Sequence, residues 1–177
     1  ASEAAASDQR HAVSQGQKLY AAAGRNTGKT SVFADVIRAV DVYDFDQQSW
    51  TTLSDSLPKG RAGNAAALLG NELLIIGGES TQPNAHNETT ALDLNQETWR
   101  RLSPLQEGRH GSQAIVHQGA VYLASGSGSQ GGGQLPSQEV FTFGPQAQPS
   151  ALQALTRGHL ALSDTLLDLS QTAAGDT

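Results

Sequence analysis

Neither cysteine nor methionine occurs among the 177 residues of the chain. The first absence excludes disulfides, thiolate metal centres and a cysteine nucleophile, although it does not fix the compartment. A chain without an initiator Met is expected to be either a processed secreted protein or a piece cut from a longer one. Charge is sparse, with 16% of residues Asp, Glu, Lys or Arg, and aromatics make up only 5%. No run of Lys or Arg occurs, and the formal net charge is −6. Such a chain has no field to attract phosphate backbones or anionic membrane surfaces, so no nucleic-acid partner is expected. No stretch approaches the ~20 consecutive apolar residues of a membrane span, and no charged-then-apolar leader opens the sequence. What remains is 37% hydrophobic residues, enough for a packed core, and 19 glycines among abundant Ser, Thr, Gln and Asn. That balance suits short strands joined by many turns.

The sequence also repeats itself. The segment Val42–Ser54 matches Ala91–Ser103 at a constant offset of 49. Tyr43 and Phe45 stand where Leu92 and Leu94 do, Trp50 where Trp99 does, and Leu53 where Leu102 does. The pattern predicts a β-hairpin in which the alternating pair, Tyr43 and Phe45 or Leu92 and Leu94, packs inward. Asp44, Asp46, Asp93 and Asn95 then belong to the turn. Each Trp opens the outer strand, where a large ring can cover the gap between neighbouring sheets. A second repeated piece lies upstream, where Gly16, Gly70 and Gly119 each separate two small apolar strands. Eight residues after them come Gly24, Gly78 and Ser127, with Gly77 and Gly126 beside the last two, so the inner strand ends in a glycine-containing pair. Backbones crowd at such a place and φ is often positive there.

Leu74-Ile75-Ile76-Gly77-Gly78 followed by Leu92 and Trp99 resembles the kelch repeat, whose period is about 50 residues. A weaker copy reads Tyr20-Ala21-Ala22-Ala23-Gly24, then Tyr43 and Trp50. The resemblance implies an all-β fold, a partial kelch-type β-propeller of about three four-stranded antiparallel blades. The blades are placed at 11–54, 63–103 and 111–155, after an N-terminal segment 1–10 and before a tail 156–177. Blade one departs from the family in having Ala23-Gly24. Blade three has Gly126-Ser127 and no Trp, and Leu152 and Leu155 are expected to fill its outer strand.

Propellers close with roughly four to eight blades, so three are too few. The remaining blades are expected from the same chain or from another chain, including a second copy that would make a six-bladed ring. Two readings of the tail are open. Arg157-Gly158-His159-Leu160-Ala161-Leu162 echoes Arg109-His110-Gly111 and could begin a further blade. Alternatively, 162–177 is similar to the first strand of the immunoglobulin-like modules of large bacterial surface proteins, with Gln146–Ser150 as linker.

In a four-stranded blade the second-to-third-strand loops and the inter-blade connections emerge on one face, and such loops carry the variable chemistry. The long loops are placed at Arg25–Ala39, Glu79–Thr90 and Gly128–Gln138. Candidate ligand-binding residues are Arg25 and Asn26 in the first loop, His86 in the second, and Arg61, Arg109 and His110 in the connections. Two arginines on successive blades could form a cationic rim for a carboxylate; the alternative is that each stitches its blade together. His86 and His110 are the histidines expected to face a ligand, against the plainer reading of solvated loop residues. His11, His117 and His159 have no ligand spacing, so no metal is expected. Gly128–Gly133 lacks the Lys of a phosphate loop, and no cofactor is expected.

The functional expectation is a non-catalytic module that binds a protein or a glycan through its loop face, secreted or on a bacterial cell surface. The alternatives are a structural segment of a large adhesin, or part of a kelch-type enzyme acting on sugars. Among the latter, a galactose oxidase type would need a Cys that is absent. A sialic acid mutarotase type would use Arg61 and Arg109 to hold a sugar acid, without a catalytic acid/base pair that can be named.

Overall fold

The computed structural model describes residues 9–27, 33–143 and the strand at 152–155. Every element among them is a β-strand. Sheet one holds β1 (His11–Gln15), β2 (Lys18–Ala22), β3 (Val40–Asp44) and β4 (Ser49–Thr52) in that order. Sheet two holds β5 (Ala65–Leu69), β6 (Glu72–Ile76), β7 (Thr89–Asp93) and β8 (Thr98–Arg101). Sheet three is built from β9 (Ala114–His117), β10 (Ala120–Ala124), β13 (Gln138–Phe143) and β14 (Leu152–Leu155). Its second-to-third connection folds into a small hairpin of its own, β11 (Ser127–Ser129) and β12 (Gly132–Gln134). All pairings within the sheets are antiparallel, as the repeat predicts.

The outer hairpins owe their shape to the repeated Asp. Asp44 Oδ1 accepts from the backbone N–H of Asp46 at 3.0 Å and of Gln47 at 2.8 Å. Asp93 Oδ1 accepts from Asn95 at 2.8 Å and Gln96 at 3.0 Å. This local side-chain-to-backbone capture is why short acidic residues favour turns. Gln48 (φ 51°) and Glu97 (φ 55°) then complete the two reversals in the left-handed region.

Sheet two lies between the other two and buries both faces. Alternation along its strands sends Leu73, Ile75 and Leu92 into one core with Tyr20, Val40, Val42 and Leu57 of the sheet-one side. It sends Leu74, Ile76 and Ala91 into another, with Val121, Leu123 and Phe141 of sheet three. Consecutive residues of β6 therefore serve different cores, and all five are buried. Each Leu or Ile so buried contributes roughly 1.5–3 kcal/mol relative to an exposed position. Trp99 packs against the first core, covering the gap between sheets one and two.

Two expectations need correction. Phe45 does not pack inward; it is 47% exposed and leans edge-on against Tyr43, with ring centroids 5.3 Å apart. Its counterpart Leu94 packs against the core because sheet one covers that side of sheet two, whereas no described sheet covers the equivalent side of sheet one. The second correction concerns register. The left-handed pairs are Ala23-Gly24 (φ 58°, 104°), Gly77-Gly78 (63°, 115°) and Ser125-Gly126 (57°, 106°). Blade three thus uses Ser125-Gly126 and not Gly126-Ser127, because Gly119 is the second residue of its two-residue inner turn, whereas Gly16 and Gly70 come first in theirs; Ser127 bridges to His110 instead. The strand at Leu152–Leu155 pairs with β13 as the outer strand. The linker reading of Gln146–Ser150 and both readings of the tail at 156–177 lie outside the described residues.

Candidate functional site

Three arginines sit at matching places in the three sheets, and all three turn inward. Arg61 is fully buried and donates to Lys59 O (3.1 Å), Ile75 O (3.0 Å) and Thr90 Oγ1 (2.8 Å). Arg109 donates to Ser125 O (2.9 Å), Ser137 O (2.8 Å), Ser137 Oγ (3.0 Å) and Glu139 Oε1 (2.9 Å). Arg10, which the sequence reading passed over, donates to Ala23 O (3.2 Å), Ala21 O (3.1 Å) and Ala39 O (3.0 Å), and pairs with Asp41 Oδ2 at 2.5 Å. The planar guanidinium fork satisfies carbonyls of the second strand and a side chain of the third at once. Those third-strand partners, Asp41, Thr90 and Glu139, recur every 49 residues, a signal that was present in the sequence. Arg61 alone has a neutral partner there, and burial lowers it to about 10, with Glu88 pulling the other way. Arg61 and Arg109 therefore act within their sheets, and they form no cationic rim.

The backbone of the same residues joins one sheet to the next. Gly24 N donates to Arg61 O at 3.2 Å, and Gly78 N donates to Arg109 O at 2.8 Å. Such close approach explains the glycines: a Cβ on Gly77 would lie 2.2 Å from Arg109 O, and one on Gly108 would lie 2.3 Å from Ala85 O.

His86 is also interior. Its Nδ1 lies 3.0 Å from Glu88 Oε2 and its Nε2 lies 2.8 Å from Ser80 Oγ. Lys59 Nζ holds the other oxygen of Glu88 at 2.5 Å. Burial works against the Glu88 charge, but hydrogen bonds from Lys59, its own backbone and His86 bring it down to about 2. Burial likewise lowers His86, outweighing Glu88. A neutral imidazole facing an ionised carboxylate must carry its proton on Nδ1, so Nε2 accepts from the Ser80 hydroxyl. Lys59, Glu88, His86 and Ser80 form a chain that fixes the second loop.

Glu79 gathers the loops of all three sheets, and sequence reasoning missed it. Its carboxylate pairs with the buried Arg25 of the first loop, accepts from Gly131 N of the third at 2.9 Å, and lies 3.4 Å from His110 Nε2. That Nε2 donates to Ser129 O at 2.8 Å. Arg25 also lies over the Phe33 ring, 5.6 Å from its centroid. Asn26 holds the base of the first loop through its N–H to Asp35 O (2.9 Å). Of the predicted candidates, then, Arg25 and His110 come together around Glu79, while Asn26, His86, Arg61 and Arg109 occupy separate structural positions.

Open depressions among the described residues include two beside these loops. One, of about 580 Å³, is walled by Gln82, Asn84, Asn87, Glu107 and Gln134 over a floor that includes Gly108 and Gly128. It runs between the second loop and the β11–β12 hairpin, which are zipped by Ala85 N to Gly128 O (2.9 Å) and Gln130 N to Pro83 O (2.8 Å). The other, of about 610 Å³, lies where the inner strands of the three sheets begin, beside Arg10, His11, Glu79, His110 and Ser112. Burial lowers His11 there.

Comparison with known proteins agrees with this geometry. No family model matches the chain. It is 28% identical over 126 residues to Kelch-like protein terF of Aspergillus terreus, covering 70% of this chain and 27% of that one. It is 28% identical over 102 residues to Kelch-like protein 23 of Homo sapiens, covering 58% and 17%. Among solved structures, that of YjhT superposes with a TM-score of 0.68 at 16% identity, covering 85% of this chain and 46% of that one. The fold is a partial kelch-type β-propeller. Its three sheets are blades of that propeller, and the matched chain spans less than a third of these curated relatives and under half of YjhT. In these blades the glycine-bearing pair and the inward arginine form the joint between neighbours, and the loops rest on top of it.

Proposed function

We propose that this chain is a binding module which recognises a protein segment through the loop face of its propeller, in the groove between blades two and three. The observation that carries this reading is the groove's construction: exposed amide side chains and bare glycine backbone above a rigid floor, with one carboxylate at Glu107. Amides and unshielded peptide groups offer donors and acceptors in the mixture an extended peptide presents. The kelch-like relatives support a propeller used for interaction. The sugar-acid alternative loses its anchor, because Arg61 and Arg109 spend their guanidinium groups inside their blades.

The test is binding of the labelled full chain to peptide and glycan arrays, in parallel with the variants Gly133→Trp and Asn84→Trp, which fill the groove. Peptide signals that both variants abolish support the reading. Signals that survive both variants, or that come from glycans alone, overturn it.

A further inference from the structure

The histidine of the second loop stands at a place that the other blades fill differently. His86 N–H donates to Gly78 O at 2.7 Å, as Ile37 N–H does to Gly24 O (2.8 Å) and Leu135 N–H to Gly126 O (2.9 Å). These three residues, 49 apart, therefore occupy one position of the blade, and two of them are apolar. Two residues further on, Glu88 stands where blade one has Ala39 and blade three has Ser137. A blade that closes over Ile or Leu has no need of an imidazole, and a buried polar ring costs free energy unless its nitrogens find partners. His86 is fully buried and both of its nitrogens are engaged.

Those partners come in the order nucleophile, base and orienting acid. Ser80 Oγ lies 2.8 Å from His86 Nε2, and His86 Nδ1 lies 3.0 Å from Glu88 Oε2. Both distances are within the hydrogen-bond reach that an activated hydroxyl requires. Lys59 occupies Oε1 of Glu88, which leaves Oε2 to the imidazole. With the ring proton on Nδ1, the lone pair of Nε2 faces the Ser80 hydroxyl. The base is sealed from water while Ser80 is half-buried, so a reagent in solution meets the hydroxyl first. Gln130 Nε2 donates to Ser80 O at 2.7 Å and steadies the backbone that carries it.

We propose that Ser80 is an acyl-accepting nucleophile, with His86 as its general base and Glu88 as the positioning residue that orients the imidazole. Oγ bonds to the carbonyl carbon of an activated ester, and His86 Nε2 takes the hydroxyl proton. The bond from that carbon to the leaving oxygen then breaks, and Nε2 returns the proton to the leaving oxygen. An ester and a free hydroxyl become acyl-serine and an alcohol, with nothing oxidised or reduced. This reactivity stands whether or not the neighbouring groove binds a peptide.

The test treats the full chain with p-nitrophenyl acetate and locates the acetyl group by peptide mass spectrometry. Ser80 is expected to be acetylated about 100-fold faster than the other serines, the gain typical of a positioned base. The rate should climb to a plateau as pH rises and the imidazole loses its proton. His86→Ile copies the residue that blade one carries at this position, and an unchanged circular dichroism spectrum checks that it folds. It should bring Ser80 down to the rate of the other serines. Glu88→Gln should lower the plateau by about 10-fold or more and move its midpoint to lower pH, because the carboxylate that favours the imidazolium is gone. If His86→Ile unfolds, Glu88→Gln decides alone. Acetylation confined to amines, or a Ser80 rate no higher than that of the other serines, overturns the proposal. So does a Ser80 rate and pH profile that the folded variants leave unchanged.

Discussion

The glycine pair at the blade joint permits a comparison that separates backbone strain from steric clash. Gly77 and Gly70 have nearly the same φ, 63° and 61°, but a Cβ at Gly77 would meet Arg109 O at 2.2 Å, while one at Gly70 meets nothing within 4 Å. Gly70→Ala therefore costs only the left-handed conformation, about 1–2 kcal/mol, reduced by roughly 0.5–1 kcal/mol because Ala restricts the unfolded chain. Gly77→Ala carries the same cost and also forces blade three away from blade two, an overpacking penalty of about 1–3 kcal/mol. The expected losses are about 0.5–1 kcal/mol for Gly70→Ala and about 2–4 kcal/mol for Gly77→Ala. Blade one carries alanine at the position that corresponds to Gly77, and Ala23 holds φ 58° there beside a longer joint bond, 3.2 Å from Gly24 N to Arg61 O against 2.8 Å from Gly78 N to Arg109 O. Ala23→Gly should then change stability by less than about 1 kcal/mol, because relief of the left-handed strain is offset by a freer unfolded chain and by loss of a buried methyl. Urea unfolding of the full chain, followed by tryptophan fluorescence, measures all three. Equal losses at Gly70 and Gly77 would refute the argument that the joint between blades two and three, and not the turn conformation alone, requires glycine.

Glu79→Gln removes the charge that Arg25 faces in a buried site, and should cost about 3 kcal/mol. Hydrogen exchange should then show faster opening in the first and third loops as well as the second. Acid should destabilise the protein before any carboxylate titrates. His11 and His86 are both depressed below 6.5 in the fold, so each binds its proton more readily when unfolded, and stability is lost as pH falls below that value. Glu88, lowered from 4.5 to about 2, adds a second loss between those two values; thermal melts from pH 7.5 to 3 resolve the two phases. Gly108→Ala, which would place a Cβ 2.3 Å from Ala85 O, should destabilise by about 2–4 kcal/mol and weaken peptide binding in the adjoining groove.

The strand frame was legible because its determinants are local. An Asp that captures two amides, a Trp opening the outer strand and a glycine-bearing pair all recur at one period. The one-residue slip at Ser125-Gly126 was not legible, because the eight-residue spacing from Gly119 pointed to Ser127, and only the strand pairing shows that this glycine stands second in its turn where Gly16 and Gly70 stand first. The site residues were harder still. Arg61 and Arg109 were noticed, but the direction of a guanidinium depends on what the third strand offers, and Thr90 and Glu139 are some 30 residues away. Glu79 escaped because its three partners come from three different loops. Phe45 was misplaced for a related reason: alternation says which residues share a face, and only a neighbouring sheet makes that face interior.

The arginine of the joint belongs to two structures at once. The guanidinium of Arg61 closes its own blade, while its carbonyl receives the amide of the blade before it. Ordering one blade therefore presents the acceptor that the preceding blade needs, and order can pass along the chain like a zipper without any contact between the loops above. Away from the contacts that Glu79 makes with Arg25 and Gly131, a loop in such an arrangement is free of the duty of holding neighbouring blades together. Loop sequences can then diverge, lengthen or be exchanged by design, provided that the residue beneath each one remains arginine and its neighbour across the joint remains glycine.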